Sequence, residues 1–322
     1  MPPVRRSTPL LLAALLAGAV ALRLVTGPGE IAPPRDRIEF ELRGARAASA
    51  LVVGAALAAS GAMLQALTHN PLASPALLGV TSGAGLSVML WILAVTLLTG
   101  APPRAGPPVW APVLGALGAL SVVLALNRRR GFSDLLGLIL TGVVVGMVAA
   151  AASMFAQHLL PDRGVALGAR WLLGDLSDDL TLDAWLPPAL VTAGAIAVGC
   201  WLGPAIDSVT LDETEALTTG TPVARVRAAL FVLAGALTAA AVALAGPVGF
   251  VGLLAPHLAR RVSRPEHRHL ILASALAGAL LLVLADTGVR LVRLPSGRLP
   301  VGVVTALVGG PALLVLLRKN AS

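Results

Sequence analysis

SGAMLQALTHNPLASPALLGVTSGAG, residues Ser60 to Gly85, sets Gln65, an Asn-Pro pair (Asn70, Pro71) and a second proline (Pro75) between two strongly apolar segments. A lipid-facing helix has no use for such an order, because backbone groups freed in hydrocarbon must find partners inside the protein. Two prolines break a helix where it leaves the membrane, and the run of small residues after them lets neighbouring helices come close. The rest of the chain agrees with a membrane reading. Of its 322 residues 57% are hydrophobic and 12% charged, and the mean hydropathy is +0.86. Those values lie far from a soluble domain. Several apolar stretches reach the roughly 17–25 residues that cross a bilayer.

Other residue types narrow the chemistry. The single cysteine, Cys200, excludes an internal disulfide and any multi-cysteine metal site, and its apolar surroundings suit packing. The net charge is +8, yet the arginines sit in short loops between apolar spans rather than in a patch, which disfavours nucleic acid. One lysine, Lys319, stands in RKNAS near the end of the sequence. A P-loop needs G-x-x-x-x-G-K-[ST], so this sequence contains none. If movement across the membrane is ATP-driven, the ATPase is another polypeptide.

The opening stretch resembles, almost without a break, G-A-x-x-Q-x-x-x-x-N-P-L-A-x-P-x-x-L-G-x-x-x-G-A of the FecCD/BtuC-like permeases. These are the membrane subunits of ABC importers for iron–siderophores, haem and vitamin B12. Gly246–Arg260, GPVGFVGLLAPHLAR, is similar to that family's G-P-[IV]-G-F-[IV]-G-L-x-x-P-H-x-x-R. Ala285–Arg290, ADTGVR, and Leu299–Pro311, LPVGVVTALVGGP, resemble its two C-terminal motifs. Arg298 stands where the family usually has an acidic residue. The resemblance runs from about Arg43 to Arg318 and implies an all-α polytopic membrane protein of about ten transmembrane helices, one of them short.

The expected spans are Thr8–Val25, Ala47–Leu67, Leu77–Leu98, Val109–Leu126, Leu135–Leu160, Asp183–Leu202, Ala228–Ala245, the short Val248–Leu258, Leu270–Val292 and Val301–Leu317. The first could instead be a secretory signal ending at Ala19-Val20-Ala21; the family's N-terminal helix favours retention. The compact basic clusters VRR, NRRR, ARRVSR and LRK fall on one side, and the acidic residues gather on the other, with Asp175, Asp178, Asp179 and Asp183 among them. That asymmetry predicts both termini in the cytoplasm. Residues 1–322 read as one permease domain, with a cytoplasmic ATPase-contact segment over about 203–227.

The resemblance also implies roles. Leu211–Gly220, LDETEALTTG, matches weakly a cytoplasmic segment that rests on the ATPase and conveys its movement. Leu211, Asp212, Glu213, Glu215, Ala216 and Gly220 are its candidates, and the acidic cluster suits the start of a short helix. An ordinary solvated loop is the alternative. Arg43, Arg46 and Arg290 correspond to arginines that meet carboxylates on an extracytoplasmic binding protein; anchoring at the membrane interface is the other reading. Asp286, four residues before Arg290, could pair with it on one helical face. His257 has no second ligand at metal spacing and reads as hydrogen-bonded within its packed segment. Gly142 and Gly146, spaced G-x-x-x-G, suit close packing in the pathway-lining fifth span or inside the subunit. Gln65, Asn70, Pro71, Pro75, Gly249, Pro256, Pro300 and Gly302 complete the pathway and structural motif residues.

The expected function is therefore a permease in the cell (inner) membrane that imports a metal chelate, a ferric siderophore first and cobalamin or haem behind. Its partners are a cytoplasmic ATPase dimer, the binding protein, a second permease subunit and lipid. No cofactor is called for and no catalysis by this chain. An ion-coupled transporter would place ionisable groups mid-span, and here they crowd the span ends. A membrane enzyme would need a nucleophile–base pair or metal cluster, and the five histidines lie scattered.

Overall fold

The computed structural model describes residues 8–128, 134–177, 182–211, 220–292 and 299–320. Among them twelve α-helices are found: α1 (Thr8–Val25), α2 (Arg37–Thr68), α3 (Val80–Thr99), α4 (Trp110–Leu126), α5 (Leu135–His158), α6 (Asp162–Leu172), α7 (Leu182–Trp201), α8 (Gly203–Leu211), α9 (Val223–Ala245), α10 (Val251–Val262), α11 (His267–Leu291) and α12 (Val301–Asn320). A minimal antiparallel hairpin, β1 (Thr26–Gly27) with β2 (Glu30–Ile31), joins α1 to α2. Six helices (α2, α3, α5, α7, α9 and α11) are long and apolar enough to cross a bilayer; α1, α4 and α12 contain shorter apolar stretches.

Every expected span is met by a helix, and the differences have local causes. Helix α2 starts ten residues early, at Arg37, because Asp36 caps it by accepting from the Glu39 N–H at 2.7 Å. Its first turns carry the i,i+4 pairs Arg37–Glu41 and Glu39–Arg43, so they hold a helix without being apolar. The third expected span is split. Pro75–Leu78 forms a 3₁₀ turn, Gly79 takes a left-handed φ of 71°, and α3 follows. The amphipathic α6 and the short α8 were not anticipated. Helix α6 lays Val165 and Leu172 against the apolar cluster of Val88, Met89 and Ile92 on α3.

Helix α2 runs through the middle of the bundle, packed by α11, α9, α10, α7 and α1, while α3, α4 and α5 form a second group. Glycine makes the closest approaches possible. A Cβ on Gly54 would run into the Gly278 carbonyl of α11, and one on Gly61 into the Gly252 carbonyl of α10. Between α2 and α9, buried Ser60 and Thr238 hydroxyls share a 2.9 Å hydrogen bond, and both reach the Ala234 carbonyl. The rest of this interior is mostly alanine, valine and leucine.

Candidate functional site

Where α1 ends, α2 begins and α11 ends, the fold gathers four charges, three of them buried and the fourth, Asp175, partly exposed. Arg23 of α1 and Asp286 of α11 have no exposed side-chain area, and Arg23 Nε donates to Asp286 Oδ2 at 2.5 Å. Arg46 of α2 donates from Nε to the other oxygen of Asp286 at 2.8 Å, and its Nη2 reaches Asp175 Oδ1 at 3.2 Å. It also donates to the Leu176 carbonyl. Asp286 thus receives an arginine on each oxygen, the arrangement that makes a buried carboxylate tolerable. One layer out, Arg43 donates to the carbonyls of Leu24 (2.9 Å) and Ala32 (2.7 Å) and to Glu39 Oε1 (2.5 Å). A Cβ on Gly27 would lie 2.7 Å from its Nη2, so the hairpin carries glycine where the guanidinium passes. The hairpin is tied to α11 by the Gly29 N–H, which donates to the Arg290 carbonyl at 2.8 Å.

This arrangement bears on the roles expected for Arg43, Arg46 and Asp286. Arg43 and Arg46 are 6% and 1% exposed, and their guanidinium groups bind within the chain, so neither is presented to a second protein here. Asp286 is held across helices by Arg23 and Arg46, while Arg290, four residues further along α11, lies half-buried. Arg23 was overlooked. Its signal is a lone charge in the last turn of an apolar helix, matching the lone Asp286 near the end of another.

Beside this cluster lies a cavity of about 350 Å³ lined by Arg104, Leu167, Arg170, Trp171, Asp175 and Pro300, among others. Arg104 and Arg170 are exposed, and neither meets a carboxylate among the described residues. Burial pushes the Asp175 carboxyl above its usual range, with Arg46 and the Leu176 N–H opposing it.

Next to the cavity three chain segments cross. The Gly302 N–H donates to the Gly174 carbonyl at 2.9 Å, and a Cβ on Gly302 would press on the carbonyls of Leu173, Gly174 and Pro247. Gly246, at φ 63°, faces the Trp171 carbonyl just as closely. Glycine is required at these positions. The chain then breaks at Pro247–Phe250: Phe250 takes φ 65°, costing about 1–3 kcal/mol for a bulky residue, and its ring sits against Gly309 and Gly310 of α12. Apolar cavities of about 330 and 290 Å³ flank the break. The first lies against Leu281, Leu284 and Val304, the second against Leu57, Pro75 and Thr81.

The remaining motif residues are scattered around this break. Pro75 is buried, its ring 2.8 Å from where a Cβ on Gly252 would sit. Buried Gln65 donates weakly to the Ala73 carbonyl (3.4 Å), and its Oε1 has no hydrogen-bond partner. Asn70 accepts from the Leu72 N–H at 2.9 Å, making a turn with exposed Pro71. Gly249 is exposed and Pro256 buried in α10. His257 Nε2 is buried without a hydrogen-bond partner, so the hydrogen bond expected for it is not found. Gly142 and Gly146 pack inside the subunit, against Leu77–Gly79, while Leu136, Leu140, Val144 and Met147 of the same helix are exposed. Among the described residues no three of His, Cys, Asp and Glu gather as metal ligands.

At the opposite end, α8 leads to Leu211, and Gly220, exposed at φ 75°, begins the return into α9. Asp212, Glu213, Glu215 and Ala216 lie outside the described residues, as do Asp178, Asp179 and Arg298. What the sequence reading missed here is Asp207. Its carboxylate accepts from both the backbone N–H (2.9 Å) and Nδ1 (2.6 Å) of His267, at the start of α11.

Residues 8–319 match the model of the FecCD transport family. The chain is 38% identical over 318 residues to the vitamin B12 import system permease protein BtuC of Citrobacter koseri, covering 96% of this chain and 93% of that protein. With the BtuC protein of Salmonella typhimurium the identity is 38% over 316 residues, covering 97% and 93%. A solved structure of a metal-chelate type ABC transporter in an inward-facing conformation superposes with a TM-score of 0.85 at 28% identity, covering 97% of this chain and 99% of that one.

Proposed function

The chain belongs to the FecCD transport family of ABC importer permeases, and on that premise we propose that it imports a bulky metal chelate across the cytoplasmic membrane. The observation that carries this reading is where charge lies. Among the described residues the ionisable side chains stand at the ends of the apolar stretches, Arg46 just before the apolar run that begins at Ala47 of α2, and the buried Arg23 and Arg46 both pair with Asp286. A transporter driven by an ion gradient needs ionisable groups near the midplane. This bundle offers close-packed small residues and apolar cavities instead, which suits passage powered from outside the membrane by a separate ATPase.

In this proposal α1–α5, α7 and α9–α12 supply ten crossings with both termini in the cytoplasm, and residues 203–227 meet the ATPase. A binding protein docks at the end that carries the buried charge cluster. Because Arg43 and Arg46 are buried, exposed Arg104 and Arg170 beside their cavity are the cations proposed for that contact, and Arg290, whose carbonyl accepts from the hairpin, stays a candidate. The exposed apolar faces of α5 and α12 suit a second permease subunit and lipid.

A corrinoid of the vitamin B12 type leads as cargo, since that is what the relatives at 38% identity are named for. The ferric siderophore expected from the sequence rested on how common that cargo is in the family and on no residue of this chain; it is the second reading. Purification of the tagged chain from membranes tests the energetic half. A Walker-motif subunit is expected to co-purify with ATP hydrolysis that the chain alone lacks. Recovery with no such subunit, and transport that follows a proton gradient, would sink the reading.

A further inference from the structure

Helix α11 starts at His267 with no capping side chain of its own: Glu266, at the cap position, makes no side-chain hydrogen bond to the first turn. Four N–H groups at a helix start need partners, and a carboxylate is the best complement to them. Asp207 supplies it from another helix. A single oxygen, Oδ1, takes both the His267 N–H and His267 Nδ1. The surrounding contacts bring α8 and the α7 end that precedes it against the start of α11. A Cβ on Gly203, the first residue of α8, would fall 2.9 Å from the Arg268 nitrogen, and Cys200 Sγ, near the end of α7, lies 3.4 Å from the Arg268 carbonyl. Helix α8 runs directly into residues 212–219, and α11 extends 25 residues, about 37 Å, to the far end of the bundle. There Asp286 is clamped by Arg23 and Arg46.

We infer that Asp207 is a positioning residue for transport: its bonds to His267 pin the ATPase-contact segment to the start of α11. Movement of that segment is then delivered to α11 as a unit, and through Asp286 to the charge cluster at the opposite end. The inference rests on the permease reading above and adds the residue that ties the contact segment to the bundle.

The test compares Asp207→Ala with Asp207→Asn, whose amide oxygen still accepts from the His267 N–H. Three readouts are taken: labelled cobalamin uptake by cells, ATP hydrolysis by the purified complex, and amide hydrogen exchange over α8 and the first turn of α11. Asp207→Ala is expected to lower uptake about tenfold or more, keep hydrolysis within about twofold, and speed exchange at both elements. Asp207→Asn should restore all three to near parent values. Because both bonds end on one oxygen, adding His267→Ala to Asp207→Ala should cost nothing further. Parent-like uptake by Asp207→Ala would overturn the inference. So would joint loss of uptake, hydrolysis and thermal stability, which marks a purely structural contact. If the parent chain neither imports cobalamin nor carries an ATPase, the transport reading falls and this role with it; the exchange data still report whether the pin exists.

Discussion

At the scale of single residues, the charges decide stability by where they are paired. Asp286 is enclosed between two arginines, so Asp286→Ala takes the carboxylate from buried Arg23 and leaves Arg46 with Asp175, and should cost roughly 3–5 kcal/mol, read as a large fall in Tm in detergent. Asp175 behaves oppositely. Burial lifts its folded pKa above the ordinary value, so its contribution is fully favourable only below the unfolded carboxylate range and is lost as pH rises through the folded pKa. Asp175→Asn is therefore expected to raise Tm relative to the parent by an amount that grows as pH rises above the unfolded carboxylate value of about 4; a gain confined to acid would contradict this. The sequence could offer Arg43, Arg46 and Asp286 as important but not their partners. A spacing of four residues suggests a pairing along one helix, whereas Arg23 and Asp286 meet only because α1 and α11 finish at the same end. Nothing local marks Asp207 and His267 as a pair either, since sixty residues separate them.

Elements were legible in proportion to their hydropathy. Each long apolar run became a helix, and the Asn-Pro and Gly-Pro motifs marked breaks at Pro71–Gly79 and Gly246–Phe250. Helix α6 was missed because its apolar residues alternate with Arg163 and Arg170, a pattern that a span search passes over. The hairpin was missed because two-residue strands carry no periodicity. What holds elements together is backbone approach at glycine, and that gives a graded expectation. Gly54→Ala or Gly61→Ala puts a Cβ into a facing carbonyl and should lower Tm clearly. Gly118→Ala, with nothing within 4 Å, should leave Tm unchanged or raise it through the up to ~1 kcal/mol that alanine gains over glycine in a helix. Equal effects at both sites would argue against the packing described for α2.

For the whole molecule, the two ends are chemically distinct. One carries the buried cluster with Arg104 and Arg170, the other carries α8, Asp207 and the basic end of α10. In a Cys200→Ala background, a cysteine at Arg104 should react with an impermeant thiol reagent added outside intact cells, and one at Ser208 only after the membrane is opened. Reversal of that pattern would invert the proposed orientation. The most direct measurement is uptake of radiolabelled cobalamin and, in parallel, of a ferric siderophore by cells with and without the gene. Deletion is expected to abolish cobalamin uptake and leave siderophore uptake untouched. Loss of siderophore uptake alone would keep the permease and overturn the cargo, and unchanged uptake of both would mean that this chain carries neither.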